Sequence, residues 1–221
     1  GFEMLDGAYK VMGMAPYGEP RYVDKVWQGI QTFDDGSFCL DMDYFSFHHS
    51  TTRTFNRKFE QLFGDPRAPE TLFFTEGTGF PSYFGEKPGN YNVLCSLNQH
   101  YADIAASIQK VTEEVLLNMA HAVRRETGLK NLCIAGGVGL NSVANTRILN
   151  ESGFEQLYIQ PASGDGGGAL GAALYIYHAL LGKPRKLVMK HAYWGKAYSD
   201  LEIKAFLDRE CISYVCAKSE D

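Results

Sequence analysis

NLCIAGGVGLNSVAN, residues 131–145, is followed at 157–173 by LYIQPASGDGGGALGAA. Each stretch opens on a short apolar run, passes through a glycine-rich turn and enters a helical pattern. A β-turn-helix-β-turn-helix order predicts two neighbouring strands of a parallel sheet, with both turns at its carboxyl edge. Open α/β sheets bind ligands at that edge. Helix N-termini there present unpaired N–H groups and a positive dipole end to anions. Asp165 sits inside the second turn, where its carboxylate would repel a phosphate unless a cation lay between them. Phosphate together with metal is therefore the first expectation.

Neither turn matches a standard nucleotide loop. No Gly-Lys-Ser/Thr follows, which excludes a P-loop. Gly137-x-Gly139 is followed by Ser142 where a dinucleotide fingerprint needs glycine, and the next strand ends in Gln160 without an acid. The run Gly166-Gly167-Gly168 opening a helix costs about 1 kcal/mol per residue relative to alanine. Such a cost predicts close approach by a ligand or by another backbone. Asp165 reads as an N-cap or as a metal ligand facing a phosphate. Asn141 and Asn145 read as two amides on one helical face, available to a ligand, or as a cap and a surface amide.

Around this centre the pattern is uneven. Ile104, Ile108, Val111, Val115, Met119 and Val123 form one helical face from Tyr101 onward. Asp103 stands near its start, Arg124-Arg125 near its end, and Gly128 supplies the stop. Leu132–Ala135 reads as a buried parallel strand with Cys133 as a small core residue. A helix over Asn141–Leu149, a strand over Leu157–Gln160 and a helix over Gly166–Leu181 follow. Residues 36–47 alternate as a strand after an Asp35-Gly36 turn. Residues 1–20 show no clean period, and 50–95 read as irregular. Beyond Pro184 the basic residues Lys183, Arg185, Lys186 and Lys190 form a link to a helix capped at Ser199 and a strand at Ile212–Cys216.

Bulk properties narrow the classes. The chain has 221 residues, a net charge of −5, 45% apolar and 13% aromatic residues. It is globular, and its bulk charge makes no nucleic-acid surface. The apolar segment 169–181 is too short to span a bilayer. Five cysteines without a CxxC pair indicate a reduced, cytoplasmic protein. Adjacent His48 and His49 would point to opposite faces of a strand and could not share a metal. The start at Gly1, without methionine, reads as a piece cut from a longer protein.

Four motifs carry a resemblance: KVMGMAPYG (10–18), DIAASIQKVTEE (103–114), GGVGLNSVAN (136–145) and QPASGDGGGALGAA (160–173). Together they resemble the nodulation-type and antibiotic-tailoring O-carbamoyltransferases, and 193–207 is similar to the start of that family's carboxyl-terminal domain. The resemblance implies an α/β fold, the ribonuclease-H-like half of an actin-like ATPase of the sugar kinase and heat-shock type, over 1–186. Residues 187–221 would begin a second α/β domain. It implies carbamoyl transfer from carbamoyl phosphate, through an ATP-derived carbamoyladenylate, to a hydroxyl of a sugar- or antibiotic-like small molecule.

By motif, Asp165 would be catalytic and hold the divalent metal, iron or magnesium. Gly136, Gly137, Asn141, Gly166, Gly167 and Gly168 would hold the nucleotide. Lys10 matches a motif lysine without an assigned role. The sequence departs from the family in lacking HxxxH, its source of metal-binding histidines. The missing amino-terminal half and the rest of the carboxyl-terminal domain would be needed as partners, with no membrane or nucleic acid involved. Alternatives are a threonylcarbamoyl transferase of tRNA modification and a sugar-kinase-like or non-catalytic actin-like nucleotide-binding module.

Overall fold

The computed structural model describes residues 2, 7–69, 71–189 and 191–216. Residues 3–6 of the unpatterned opening, and Lys190 of the basic link, lie outside the described residues. Helices α1 (Gly7–Met14) and α2 (Val23–Trp27) come first, joined through a 3-10 turn, Ala15–Tyr17. Strands β1 (Ile30–Thr32) and β2 (Phe38–Leu40) form an antiparallel hairpin about the Asp35-Gly36 turn. Helix α3 (Arg57–Phe63) and the long α4 (Tyr91–Thr127) follow. Then come β3 (Asn131–Ile134), α5 (Ser142–Glu151) and β4 (Gln156–Ile159). Helices α6 (Gly168–Tyr175) and α7 (Asp200–Arg209) end the described chain.

The first compact unit, Gly1–Ala169, is organised along α4. Ala102 and Ala105 pack with Met14 and Ala15, Val111 and Val115 with Val26 and Phe63, and Ala120 with Ile148 and Phe154. Helix α1 forms without an apolar period because its end is held in the first of these clusters. The helix α4 begins ten residues before the apolar face does. There it buries Cys95 and Asn98 while Val93 and Leu97 stay exposed, so its first turns show no apolar stripe. Asp103 consequently lies in the body of the helix and not at its positive end. Gly128 closes α4 in the left-handed conformation, its N–H donating to the Arg124 carbonyl.

Strand β2 is shorter than the alternation predicts. The Asp41 carboxylate accepts from the Asp43 N–H and turns 42–44 into a 3-10 turn. The irregular reading of 50–95 misses α3, which Asn56 caps through the N–H groups of Lys58 and Phe59. His48 and His49 lie in a turn, with ring nitrogens 2.9 Å apart, so the opposite-face expectation fails with the strand that it assumed.

Strands β3 and β4 pair in parallel, Leu132 with Leu157 and Ile134 with Ile159, with α5 as the crossover. Leu132, Ile134 and Leu157 face the α4–α5 cluster. The opposite face, including Cys133 and Tyr158, is exposed, so Cys133 is not a core residue in this structure. Alternate residues change sides along a strand, and α4 and α5 cover only one.

The second unit, Leu170–Asp221, buries no side chain among its described residues. A π-type turn, Ile176–Leu180, follows α6. Ser199 and Glu202 cap α7 reciprocally, each side chain meeting the other's backbone N–H. Residues 212–216 form no strand, and no strand among the described residues lies beside them to pair with their backbone groups.

Candidate functional site at two glycine turns

The β3–α5 and β4–α6 turns lie side by side. Gly136 leaves β3 at φ +112°, a conformation that L side chains rarely adopt, and its N–H donates to the Ser163 carbonyl at 2.7 Å. A Cβ on Gly164 would stand 3.9 Å from the Gly137 Cα. The second turn tightens into a 3-10 turn, Asp165–Gly167, that runs into α6. Of its three successive glycines, Gly167 answers to the chain itself, since a Cβ there would lie 2.0 Å from the Ala162 carbonyl oxygen. Gly166 and Gly168 face open space, as do Gly136 and Gly137.

The two turns differ in what their helices leave unbonded. Asn141 caps α5, its Oδ1 accepting the Ala144 N–H at 3.1 Å. Its side chain is buried and also pairs reciprocally with Gln109 of α4. Asn145 donates to the Gly139 carbonyl at 2.7 Å. The two amides thus hold the first turn from within. No side chain caps the turn at Gly164, and the exposed Asp165 carboxylate makes no hydrogen bond or ion pair among the described residues. In the second turn the Gly167 and Gly168 N–H groups donate to the Gly164 and Asp165 carbonyls, while no side chain caps the N–H groups of Asp165 and Gly166, where an anion would meet them.

Asp165 is not joined by further ligands, for no group of three His, Cys, Asp or Glu residues able to hold a metal occurs among the described residues. A closed site of protein ligands does not fit. A hydrated divalent ion held by one carboxylate and by phosphate oxygens does. An apolar recess of about 490 Å³ opens beside the first turn, lined by Ile30, Phe38, Met119, Leu132 and Val138.

Sequence reasoning passed over Gln109, Glu113, Arg147 and Ser163. The Gln109 Nε2 donates to Glu113 at 2.8 Å, and Arg147 Nη1 donates to Glu113 at 3.2 Å and to Glu114 at 2.8 Å. Arg147 also grips both oxygens of Glu151 at 2.8 Å. The hydrogen bonds that Arg147 donates to Glu151, then to Glu114, raise its pKa further above its ordinary value. The 109/113 and 147/151 spacings mark each helix face, but nothing in the sequence says that the two faces meet. Ser163 has a buried hydroxyl with no hydrogen-bond partner among the described residues, at the junction of the turns. Lys10 lies about 6 Å from the Phe2 and Tyr9 ring centroids.

A profile described as the carbamoyltransferase N-terminus matches residues 1–174. The chain belongs to the carbamoyltransferase family. An uncharacterized protein of Synechocystis is 42% identical over 221 residues, which cover 97% of this chain and 32% of that protein. Nodulation protein NolO of Bradyrhizobium diazoefficiens is 29% identical, across 90% of this chain and 31% of its own length. For nodulation protein NolNO of Sinorhizobium fredii the values are 28%, 97% and 26%. The chain thus spans about a third or less of the length of the curated relatives that it matches. No helix among the described residues is long and apolar enough to cross a membrane.

Proposed function

We propose that the protein containing this chain moves a carbamoyl group from carbamoyl phosphate, through an ATP-derived carbamoyladenylate, to a hydroxyl of a small sugar- or antibiotic-like molecule. In this reading residues 1–186 are the later part of an actin-like domain, and 187–221 begin the next. The observation that carries it is the uncapped, glycine-opened start of the second turn, with the partnerless Asp165 carboxylate beside it. Family membership supplies the reaction class.

The Gly166 amide and the side-chain-free surface at Gly168 would hold the adenylate phosphate, with Gly136 and Gly137 forming the adjoining wall. Asn141 would act by fixing that wall, and the apolar recess has room for a planar base. A divalent cation, when bound at Asp165, supplies positive charge against that phosphate. The acceptor hydroxyl oxygen attacks the carbamoyl carbon, and a C–O bond forms. The bond from that carbon to the phosphate oxygen breaks, AMP leaves with the electron pair, and the hydroxyl proton passes to solvent. The turns contribute by holding the anhydride in place for attack.

The test uses the full-length protein with carbamoyl phosphate, magnesium and ATP, and mass spectrometry for carbamoyladenylate, pyrophosphate and carbamoylated acceptor. The Asp165→Asn variant should form the intermediate yet lose transfer by about a hundredfold. The 221-residue chain alone should give no carbamoyl product. ATP binding without any carbamoyl-phosphate-dependent product would replace this reading with an actin-like nucleotide-binding module.

A further inference from the structure

Gln109 stands on α4, outside both turns, yet it meets the residue through which the first turn becomes a helix. Asn141 ends the 3-10 turn Gly137–Leu140 and caps α5 at once. Donor and acceptor chemistry fixes how the two amides meet. The Ala144 N–H can only donate, so the Asn141 Oδ1 must face it, at 3.1 Å. The Asn141 Nδ2 is thereby turned to Gln109, donating to its Oε1 at 2.9 Å, while Gln109 Nε2 donates back to Asn141 Oδ1 at 3.1 Å. The second Nε2 proton goes to Glu113 at 2.8 Å, an acceptor that Arg147 of α5 holds from the other side. Gln109 has two N–H donors and one carbonyl oxygen, and all three are engaged with no alternative orientation left.

We infer that Gln109 is a positioning residue for the two-turn site. It transmits the placement of the 37-residue helix α4 to Asn141, hence to the first turn. Through the Gly136 N–H bond to the Ser163 carbonyl it also sets the second turn, which carries Asp165. The inference rests on the proposed carbamoyl-transfer reading for its catalytic consequence, and on the hydrogen bonds alone for its mechanical one.

Two variants of the full-length protein test it, with separate readouts. In Gln109→Leu, which keeps the volume and removes the polar atoms, amide hydrogen exchange at 136–141 and 163–168 should speed up about tenfold. Amides in the middle of α4 should not change. Carbamoyl transfer per folded molecule should fall about tenfold to a hundredfold in kcat, with KM for carbamoyl phosphate little altered.

In Gln109→Glu, an ionised carboxylate faces Glu113 on its own helix, with Lys110, Glu114 and Arg147 around that pair. Only its protonated form can donate as well as accept, replacing one of the two hydrogen bonds that the amide donates. Its activity relative to wild type should therefore rise as pH falls. This variant keeps the test open if Gln109→Leu fails to fold.

Unchanged exchange at both turns would overturn the inference. So would loosened turns with undiminished transfer, or a flat relative pH profile for Gln109→Glu. If wild type shows no carbamoyl transfer at all, the functional proposal fails separately, and exchange alone decides whether Gln109 sets the turns.

Discussion

Gly18 shows how one missing Cβ can set a whole interface. A Cβ there would lie 2.0 Å from the Ala102 carbonyl oxygen and 2.5 Å from the Asp103 nitrogen, so the backbone after α1 lies directly on α4. The adjoining polar groups lock the contact. Asp103 is 3% exposed, and its carboxylate accepts the Glu19 N–H and the Gln99 amide at 2.9 Å each and lies 3.4 Å from Arg21. The Ser107 hydroxyl accepts the Tyr22 N–H at 2.9 Å and donates to the Asp103 carbonyl at 2.6 Å. Gly18→Ala should therefore force backbones apart and cost about 3 kcal/mol of stability, read as a lower urea midpoint. Gly13, helical and with nothing within 4 Å of its would-be Cβ, is the contrast. Gly13→Ala should be neutral or stabilise by up to about 1 kcal/mol. Equal losses at both positions would refute close packing as the reason for Gly18.

At the scale of elements, α4 and α5 meet through charge as well as through the Ala120–Ile148 contact. Arg147, with its side chain 21% exposed, holds Glu113, Glu114 and Glu151 together. Arg147→Ala leaves the nearly buried Glu113 carboxylate without its cation and should cost about 2–3 kcal/mol. The Arg147 hydrogen bonds hold the Glu114 and Glu151 carboxyls below their ordinary 4.5, and Lys110 assists at Glu114. Both groups bind protons less tightly folded than unfolded. The stability that they contribute is complete above about pH 4.5 and is lost as pH falls through their lower folded values. Urea midpoints of wild type and Arg147→Ala should accordingly draw together as pH falls below about 4.5. A gap that stays constant as pH falls below about 4.5 would show that the carboxylates contribute nothing through Arg147.

At the scale of the molecule, burial is divided unequally between the two units. Residues 7–169 contain every buried residue among those described, and three apolar clusters of them are strung along α4. The second unit has α7 with its capping box but no buried side chain among its described residues. Hydrogen exchange of the 221-residue chain should therefore be slowest in the middle of α4 and near the unprotected rate over 182–216. Protection over 182–216 equal to that of α4 would contradict this distribution of burial.

Much of the architecture was legible in the residues themselves. The turn glycines, the Gly128 stop, the β3–α5–β4 order and the Ser199 cap follow from local rules, because a helix end or a tight turn is decided within a few residues of chain. The family likewise follows from four short motifs. Other features needed the tertiary structure, because they depend on what packs against what. The first turns of α4 carry no apolar stripe, and the fit of Gly18 on Ala102 leaves no local pattern. Cys133 is as apolar as its strand neighbours, yet exposed, since only one face of the two-stranded sheet is covered. Which turn kept its helix N-terminus open was also beyond the sequence. Both turns read alike until Asn141 is seen spent on Gln109 and Ala144 while Asp165 stands free. Hydrogen bonds between residues 32 positions apart are set by how two helices meet, and only the folded chain contains that information.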